Sequence, residues 1–176
     1  MYNLILKFLG NSMKRFAVAF TGPSGSGKTT LVEKVAKVMI ESKEVAIIKN
    51  DPKDKAIFDV EGKDSYKFSQ TGAEVVVTSP TRTTYFSQCQ KELDEIIEMF
   101  SHFDILLVEG LKTLPLPRIA IFRNKIDESY LTCSEAIAID GSIDINDHTI
   151  PQNIDILDLN NTSEIINWIE KNAKEV

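Results

Sequence analysis

The stretch GPSGSGKTT, Gly22–Thr30, directly follows the apolar run FAVAF, Phe16–Phe20, and precedes a segment of helical periodicity. Gly22 to Thr29 matches the pattern G-x-x-x-x-G-K-[ST], and its place between a strand and a helix is the context that makes such a loop a phosphate cradle. The glycines open backbone angles closed to other residues, so successive N–H groups can turn inward on phosphate oxygens at the positive end of the helix. Lys28 is spaced to reach the β and γ phosphates, and Thr29 to offer its hydroxyl to Mg²⁺. Gly22, Pro23, Ser24, Gly25, Ser26, Gly27, Lys28, Thr29 and Thr30 are therefore candidate nucleotide-binding residues, with Lys28 also catalytic by neutralising charge. A glycine turn that merely joined strand to helix would need neither Lys28 nor Thr29.

The rest of the chain alternates in the same way. Phe16–Phe20 reads as a strand buried on both faces of a parallel sheet. Leu31, Val32, Val35, Val38 and Met39 recur at helical spacing, with Glu33, Lys34, Lys37 and Glu41 on the other side. EVAIIK, Glu44–Lys49, is a second buried strand, followed by a polar loop from Asn50 to Lys63. Asp64 or Ser65 is placed to cap a short helix closing at Gly72, and EVVVTS, Glu74–Ser79, is the next strand. After Pro80, TRTTYF, Thr81–Phe86, suits an antiparallel partner strand. Leu93, Ile96, Ile97 and Phe100 mark another amphipathic helix, and DILLVEG, Asp104–Gly110, a central strand ending on an acid. Arg118–Arg123 and Ala136–Asp140 follow as strands, and Thr162 as the cap of a last helix carrying Ile165, Ile166 and Ile169. This order predicts an α/β protein: a doubly wound, mainly parallel sheet with helices on both faces, right-handed crossovers and an antiparallel hairpin extension.

With 176 residues the chain is expected to form one domain over 14–176, with residues 1–13 as an N-terminal extension or extra strand. Its 26 acidic against 20 basic side chains leave no positive excess to hold a nucleic-acid backbone or an anionic membrane. Two distant cysteines, Cys89 and Cys133, fit neither a disulfide framework nor a zinc site and suit a reducing cytoplasm. No apolar stretch approaches the roughly 18 residues that a membrane span needs.

Three further features surround the loop. Glu109 ends the apolar strand ILLV before Gly110 and is the candidate Mg²⁺ carboxylate; Asp104, at the strand's start, is expected at the far edge in solvent. Asp51 directly follows the second strand, at the end where open α/β sheets bind ligands. It reads as a Mg²⁺ or catalytic-water residue, or as a plain loop carboxylate. Asn124-Lys125-Ile126-Asp127 reads N-K-x-D, a guanine-recognition pattern in which the carboxylate accepts guanine N1–H and the exocyclic amine. The same four residues also make an ordinary charged turn, and both readings stand.

GPSGSGKTTLVEKV, GKDSYKFSQTGA (Gly62–Ala73), VVVTSPTR (Val75–Arg82) and LLVEGLKTLPLPRI (Leu106–Ile119), in this order, resemble the MobB family of molybdopterin-guanine dinucleotide biosynthesis proteins. The resemblance covers roughly Lys14 to Trp168. It implies a P-loop GTPase fold of the kind found in dimeric metabolic GTPases, with GTP and Mg²⁺ as ligands and slow hydrolysis. It further implies a homodimer and a partner, the guanylyltransferase MobA, which joins GMP to molybdopterin. Carried over, Gly22 to Thr30 would hold the phosphates, Thr29 and Glu109 the metal, and Asp51 would match the family's acid after the second strand. Gly62–Ser65 and Arg82 would match positions near the cleft or the dimer contact. The chain departs from the family where histidines often stand, having Asn50, Pro52 and Lys53 after the second strand and Phe68 in the short helix. Nor is N-K-x-D a family hallmark. Phosphoryl transfer to a small molecule, with Asp51 as base, is the alternative function; it lacks an arginine-rich lid in this sequence.

Overall fold

The computed structural model describes residues 14–176; the extension or extra strand expected over 1–13 lies outside them. In chain order the elements are β1 (Phe16–Thr21), α1 (Lys28–Met39), β2 (Val45–Lys49), α2 (Asp64–Ser69), β3 (Val75–Thr78), β4 (Thr83–Phe86), α3 (Leu93–Met99), β5 (Ile105–Glu109), β6 (Arg118–Phe122), β7 (Ala136–Ile139), β8 (Asp155–Asp158), α4 (Thr162–Asn172) and β9 (Lys174–Glu175). Short 3₁₀ turns cover Glu128–Cys133 and Ile145–Asp147. The chain divides into two compact units, Asp51–Ser101 forming one and the segments on either side of it the other.

The larger unit is built on a sheet in the order β2-β5-β1-β6-β7-β8, parallel throughout, with β9 added antiparallel to β1. Side chains alternate across each strand, so the two faces need separate covers. On one face the α1 stripe Leu31, Val32, Val35 and Met39 and the α4 stripe Ile165, Trp168 and Ile169 pack on Val18, Phe20, Leu107, Ile119 and Ile121. Trp168 also donates through Nε1 to Asp155 Oδ2 at 2.8 Å, tying α4 to β8. On the other face Ala120, Phe122 and Ile137 are covered by Ile126, Leu131, Ile143 and Ile154, from the 3₁₀ turns and the connections beside them. Asp104 lies where expected, just before β5, accepting the Glu44 N–H at 2.7 Å.

The smaller unit carries the predicted antiparallel ribbon. β3 and β4 pair with each other from Val75↔Phe86 to Thr78↔Thr83 and, among the described residues, form a sheet of their own. Ser79 closes the turn, its N–H donating to the Arg82 carbonyl at 2.8 Å. Glu92 and Glu95 make a capping box at the start of α3.

Local details depart from expectation by a residue or an element. The N-cap of α4 is Asn161, whose side chain accepts the Glu164 N–H, and not Thr162. That of α2 is Lys63, which makes no side-chain cap, so neither Asp64 nor Ser65 caps it. The sequence reading also lacks β8 and β9.

Ile169 is fully buried between α4 and the sheet, whereas Ile156 of β8 is half-exposed. Ile169→Ala is expected to cost about 2–5 kcal/mol and Ile156→Ala under about 1 kcal/mol in chemical denaturation. Equal costs would contradict this packing.

Candidate functional site

The connection from β1 to α1 has to reverse the chain within six residues, and it does so on positive φ at Gly22 (137°), Gly25 (78°) and Gly27 (96°). A Cβ on Gly22 would collide with the Ile121 carbonyl oxygen of β6, so only glycine lets the loop sit down on the neighbouring strand. The first helical bond runs from Leu31 N–H to Gly27 O at 2.9 Å. The N–H groups of Lys28, Thr29 and Thr30 therefore lie at the open, positive end of α1, outside its hydrogen-bond ladder.

Lys28, Lys49 and Glu109 are gathered at this helix end. Lys28 Nζ donates to Gly22 O at 2.9 Å and Pro23 O at 2.6 Å, folding the ammonium against the loop's own carbonyls. Burial pushes the Lys28 ammonium below the ordinary lysine range; Lys49 and Lys112 push the same way, and Glu109 partly opposes them. Thr29 Oγ1 lies 3.2 Å from both carboxylate oxygens of Glu109, and Lys49 Nζ is 2.9 Å from Oε1. Glu109 is buried, so its charge is held by a lysine and a hydroxyl in place of solvent.

These residues fit a triphosphate and a magnesium ion on their own terms. The loop collects donors and positive charge with no acidic side chain inside it, and the buried Ser26 hydroxyl has no hydrogen-bond partner among the described residues. Thr29 and Glu109 supply the hard oxygen donors that Mg²⁺ takes beside phosphate. Lys49 is the cation that Glu109 is paired with in this structure.

The remaining sequence-predicted residues are placed as follows. Asp51 opens the smaller unit and organises its loop: Oδ1 accepts the Lys53 N–H at 3.3 Å, and Oδ2 accepts those of Lys55 and Ala56, each at 2.7 Å. Asn124-Lys125-Ile126-Asp127 follows β6, the strand next to β1. Asn124 sits at φ 63° and donates its N–H to Ser142 Oγ at 2.8 Å; Ile126 is buried under the sheet. Asp127 caps the 3₁₀ turn, accepting the Ser129 hydroxyl at 2.7 Å and N–H at 3.1 Å through one oxygen, and these bonds hold its carboxyl below the usual range.

Sequence reasoning missed Lys49, Arg123, Asp140 and Ser142. Arg123 Nε is 3.4 Å from Asp140 Oδ2, and Asp140 Oδ1 accepts the N–H and the hydroxyl of Ser142. The signal available was position: Lys49, Arg123 and Asp140 each end or directly follow a parallel strand, where open α/β sheets present ligand contacts.

Comparison with known proteins shows which family the chain belongs to and agrees with its fold. The model of the family described as Molybdopterin guanine dinucleotide synthesis protein B (MobB) matches residues 17–140. A molybdopterin-guanine dinucleotide biosynthesis adapter protein of Haemophilus influenzae is 31% identical over 172 residues, spanning 93% of this chain and 91% of that protein. Its Escherichia coli counterpart is 27% identical over 168 residues, 88% of this chain and 93% of that protein. The crystal structure of Bacillus subtilis MobB superposes with a TM-score of 0.72 at 23% identity, over 90% of this chain and 98% of that one, and shares the fold.

Lys28 is expected to titrate below an ordinary lysine in NMR titration of its side chain, and Glu109→Gln to lower it further by removing the one charge that raises it. Since the unfolded chain then binds this proton more tightly than the folded one, the group's contribution to stability grows as pH rises from the folded toward the unfolded value. An unshifted Lys28, or one raised by Glu109→Gln, would contradict the arrangement.

Proposed function

Because the chain belongs to the MobB family of molybdopterin guanine dinucleotide synthesis proteins, we propose that it is a GTP-binding adapter that assists the attachment of GMP to molybdopterin. The observation that carries the nucleotide half of this reading is the Lys28–loop and Thr29–Glu109–Lys49 cluster, a phosphate cradle joined to a metal-type oxygen pair. The adapter half rests on the family, which favours that role over small-molecule phosphoryl transfer. The partner is a MobA-like guanylyltransferase.

In this reading the N–H groups from Gly25 to Thr30 bind phosphate oxygens, and Lys28 swings from the Gly22 and Pro23 carbonyls to the β and γ phosphates. Thr29 and Glu109 would hold Mg²⁺; the metal or catalytic-water role of Asp51, in the smaller unit, rests on the family resemblance alone. The ion supplies charge neutralisation at the terminal phosphate. Lys28 and the loop amides stabilise the charge that develops as water attacks in line. Among the described residues no side chain beside the loop is an evident base for that water, and turnover of the isolated protein is expected to be slow. Asn124, Lys125 and Asp127 belong to the nucleotide site as the guanine-side turn.

The β3–β4 ribbon, with Val76 and Val77 exposed, supports a homodimer built on this extension. A cytoplasmic location is part of the same reading, and Cys89 and Cys133, both free, suit it; among the described residues no helix is long and apolar enough to cross a membrane.

Calorimetry with the Mg²⁺ complexes of GTP and ATP tests the reading. GTP is expected to bind more tightly than ATP, and Lys28→Ala to weaken GTP about 10-fold or more, the loss of charge-assisted hydrogen bonds. Hydrolysis by the protein alone is expected to be slow. Preference for ATP, or fast intrinsic GTP hydrolysis, would overturn the proposal.

A further inference from the structure

The sheet order gives the loop two unlike flanks. β5 and β2 lie to one side of β1, and they bring Glu109 and Lys49 to Thr29. β6 and β7 lie to the other side, and the residues that directly follow them are Arg123 and Asp140. If the metal end of a nucleoside triphosphate rests at Thr29 and Glu109, as in the reading above, the second flank is the one left for its nucleoside end.

The second flank is built around a guanidinium. A Cβ placed on Gly27 would lie 3.3 Å from Arg123 Nε and 3.6 Å from its Nη2, so the head group rests directly against the loop. Asp140 pairs with Nε at 3.4 Å and is itself fixed by Ser142, whose hydroxyl also accepts the Asn124 N–H. The Arg123 side chain is nonetheless 44% exposed, so the guanidinium beside the loop is not sealed from solvent. This is a charged fork held from behind and accessible in front.

We propose that Arg123 reads the base in the bound nucleotide, donating to guanine O6 and N7, with Asp140 as its positioning residue. The inference rests on the GTP-binding reading above. Guanine presents two acceptors, O6 and N7, to a guanidinium fork; adenine replaces O6 by an amine that can only donate. Asp127 is the less suited reader, since one of its oxygens already takes both donors of Ser129.

The two modes of reading differ over the exocyclic amine, which a carboxylate needs and an arginine fork ignores. Calorimetric titration of the full chain with the Mg²⁺ complexes of GTP, inosine triphosphate and ATP separates them. The wild-type protein is expected to bind inosine triphosphate within about 3-fold of GTP, and ATP about 10- to 100-fold more weakly. Arg123→Ala is expected to weaken GTP and inosine triphosphate by a larger factor than ATP, which offers the same N7 acceptor but no O6, and so to collapse the GTP-to-ATP ratio toward one. Arg123→Lys, which keeps the charge without the fork, should recover part of the preference. Asp140→Asn should narrow the GTP-to-ATP ratio without weakening ATP, a change that general loosening of the loop would not produce.

A guanine preference that survives Arg123→Ala, an equal loss of GTP and ATP in that variant, or inosine triphosphate as weak as ATP would overturn the proposal. Circular dichroism checks the fold of each variant, and the inosine triphosphate comparison on the wild type needs none of them. If the wild type binds ATP as tightly as GTP, the guanine reading itself falls and takes this inference with it; wild-type preference for GTP with an unaltered Arg123→Ala defeats the inference alone.

Discussion

The Lys28 ammonium, folded against the carbonyls of Gly22 and Pro23 at the mouth of α1, is the interaction around which the larger unit is arranged. Two neutral carbonyl oxygens are weak company for a cation whose burial already disfavours its charge. The same helix end presents backbone N–H groups that the helix itself does not use. A structure with this concentration of donors is complementary to an anion of high charge density. The chain carries a net charge of −6, so the cradle is a local concentration of positive potential on an otherwise acidic protein.

The parallel sheet is what makes that cradle rigid. Gly22 rests on the backbone of Ile121 in β6, and α1 is clamped to the sheet by Leu31, Val32, Val35 and Met39. Because β1 lies between β5 and β6, anything bound at the helix end has an acidic, lysine-paired flank on one side and an arginine-bearing flank on the other. In the proposed reading that asymmetry would give a bound nucleotide a direction, its metal end toward Glu109 and its nucleoside end toward Arg123. Among the described residues β3 and β4 form a two-stranded sheet, a form that is marginal in water without further strands or a helix packed on it.

Much of this was legible in the sequence, for identifiable reasons. Strands β1 and β5 are unbroken apolar runs because parallel strands are covered on both faces, and the loop declares itself through glycines whose positive φ is a local requirement. Strand β8, Asp155–Asp158, was not legible: four residues, two of them acidic, are strand only because β7 pairs with them. The two-residue β9 depends in the same way on β1. Asn161 and Thr162 are adjacent cap formers, and the choice between them is made by the path of the chain into α4. Lys49, Arg123 and Asp140 are unremarkable letters until the strand order brings them around one loop, which is non-local information that spacing does not carry. Asp51 shows the converse, a residue conspicuous by position whose visible work is to bind the backbone of its own loop.

The account's central claim is that the main-chain amides from Gly25 to Thr30 and the Lys28 ammonium grip the phosphates of a nucleotide. Amide proton–nitrogen correlation spectra of the labelled protein, recorded with and without magnesium and a slowly hydrolysed GTP analogue, test it most directly. The account predicts that the amide protons of these residues move downfield into strong hydrogen bonds with the ligand, and that the Lys28 side-chain signals shift with them. Unmoved loop amides at saturating nucleotide, or shifts confined to another part of the chain, would contradict it.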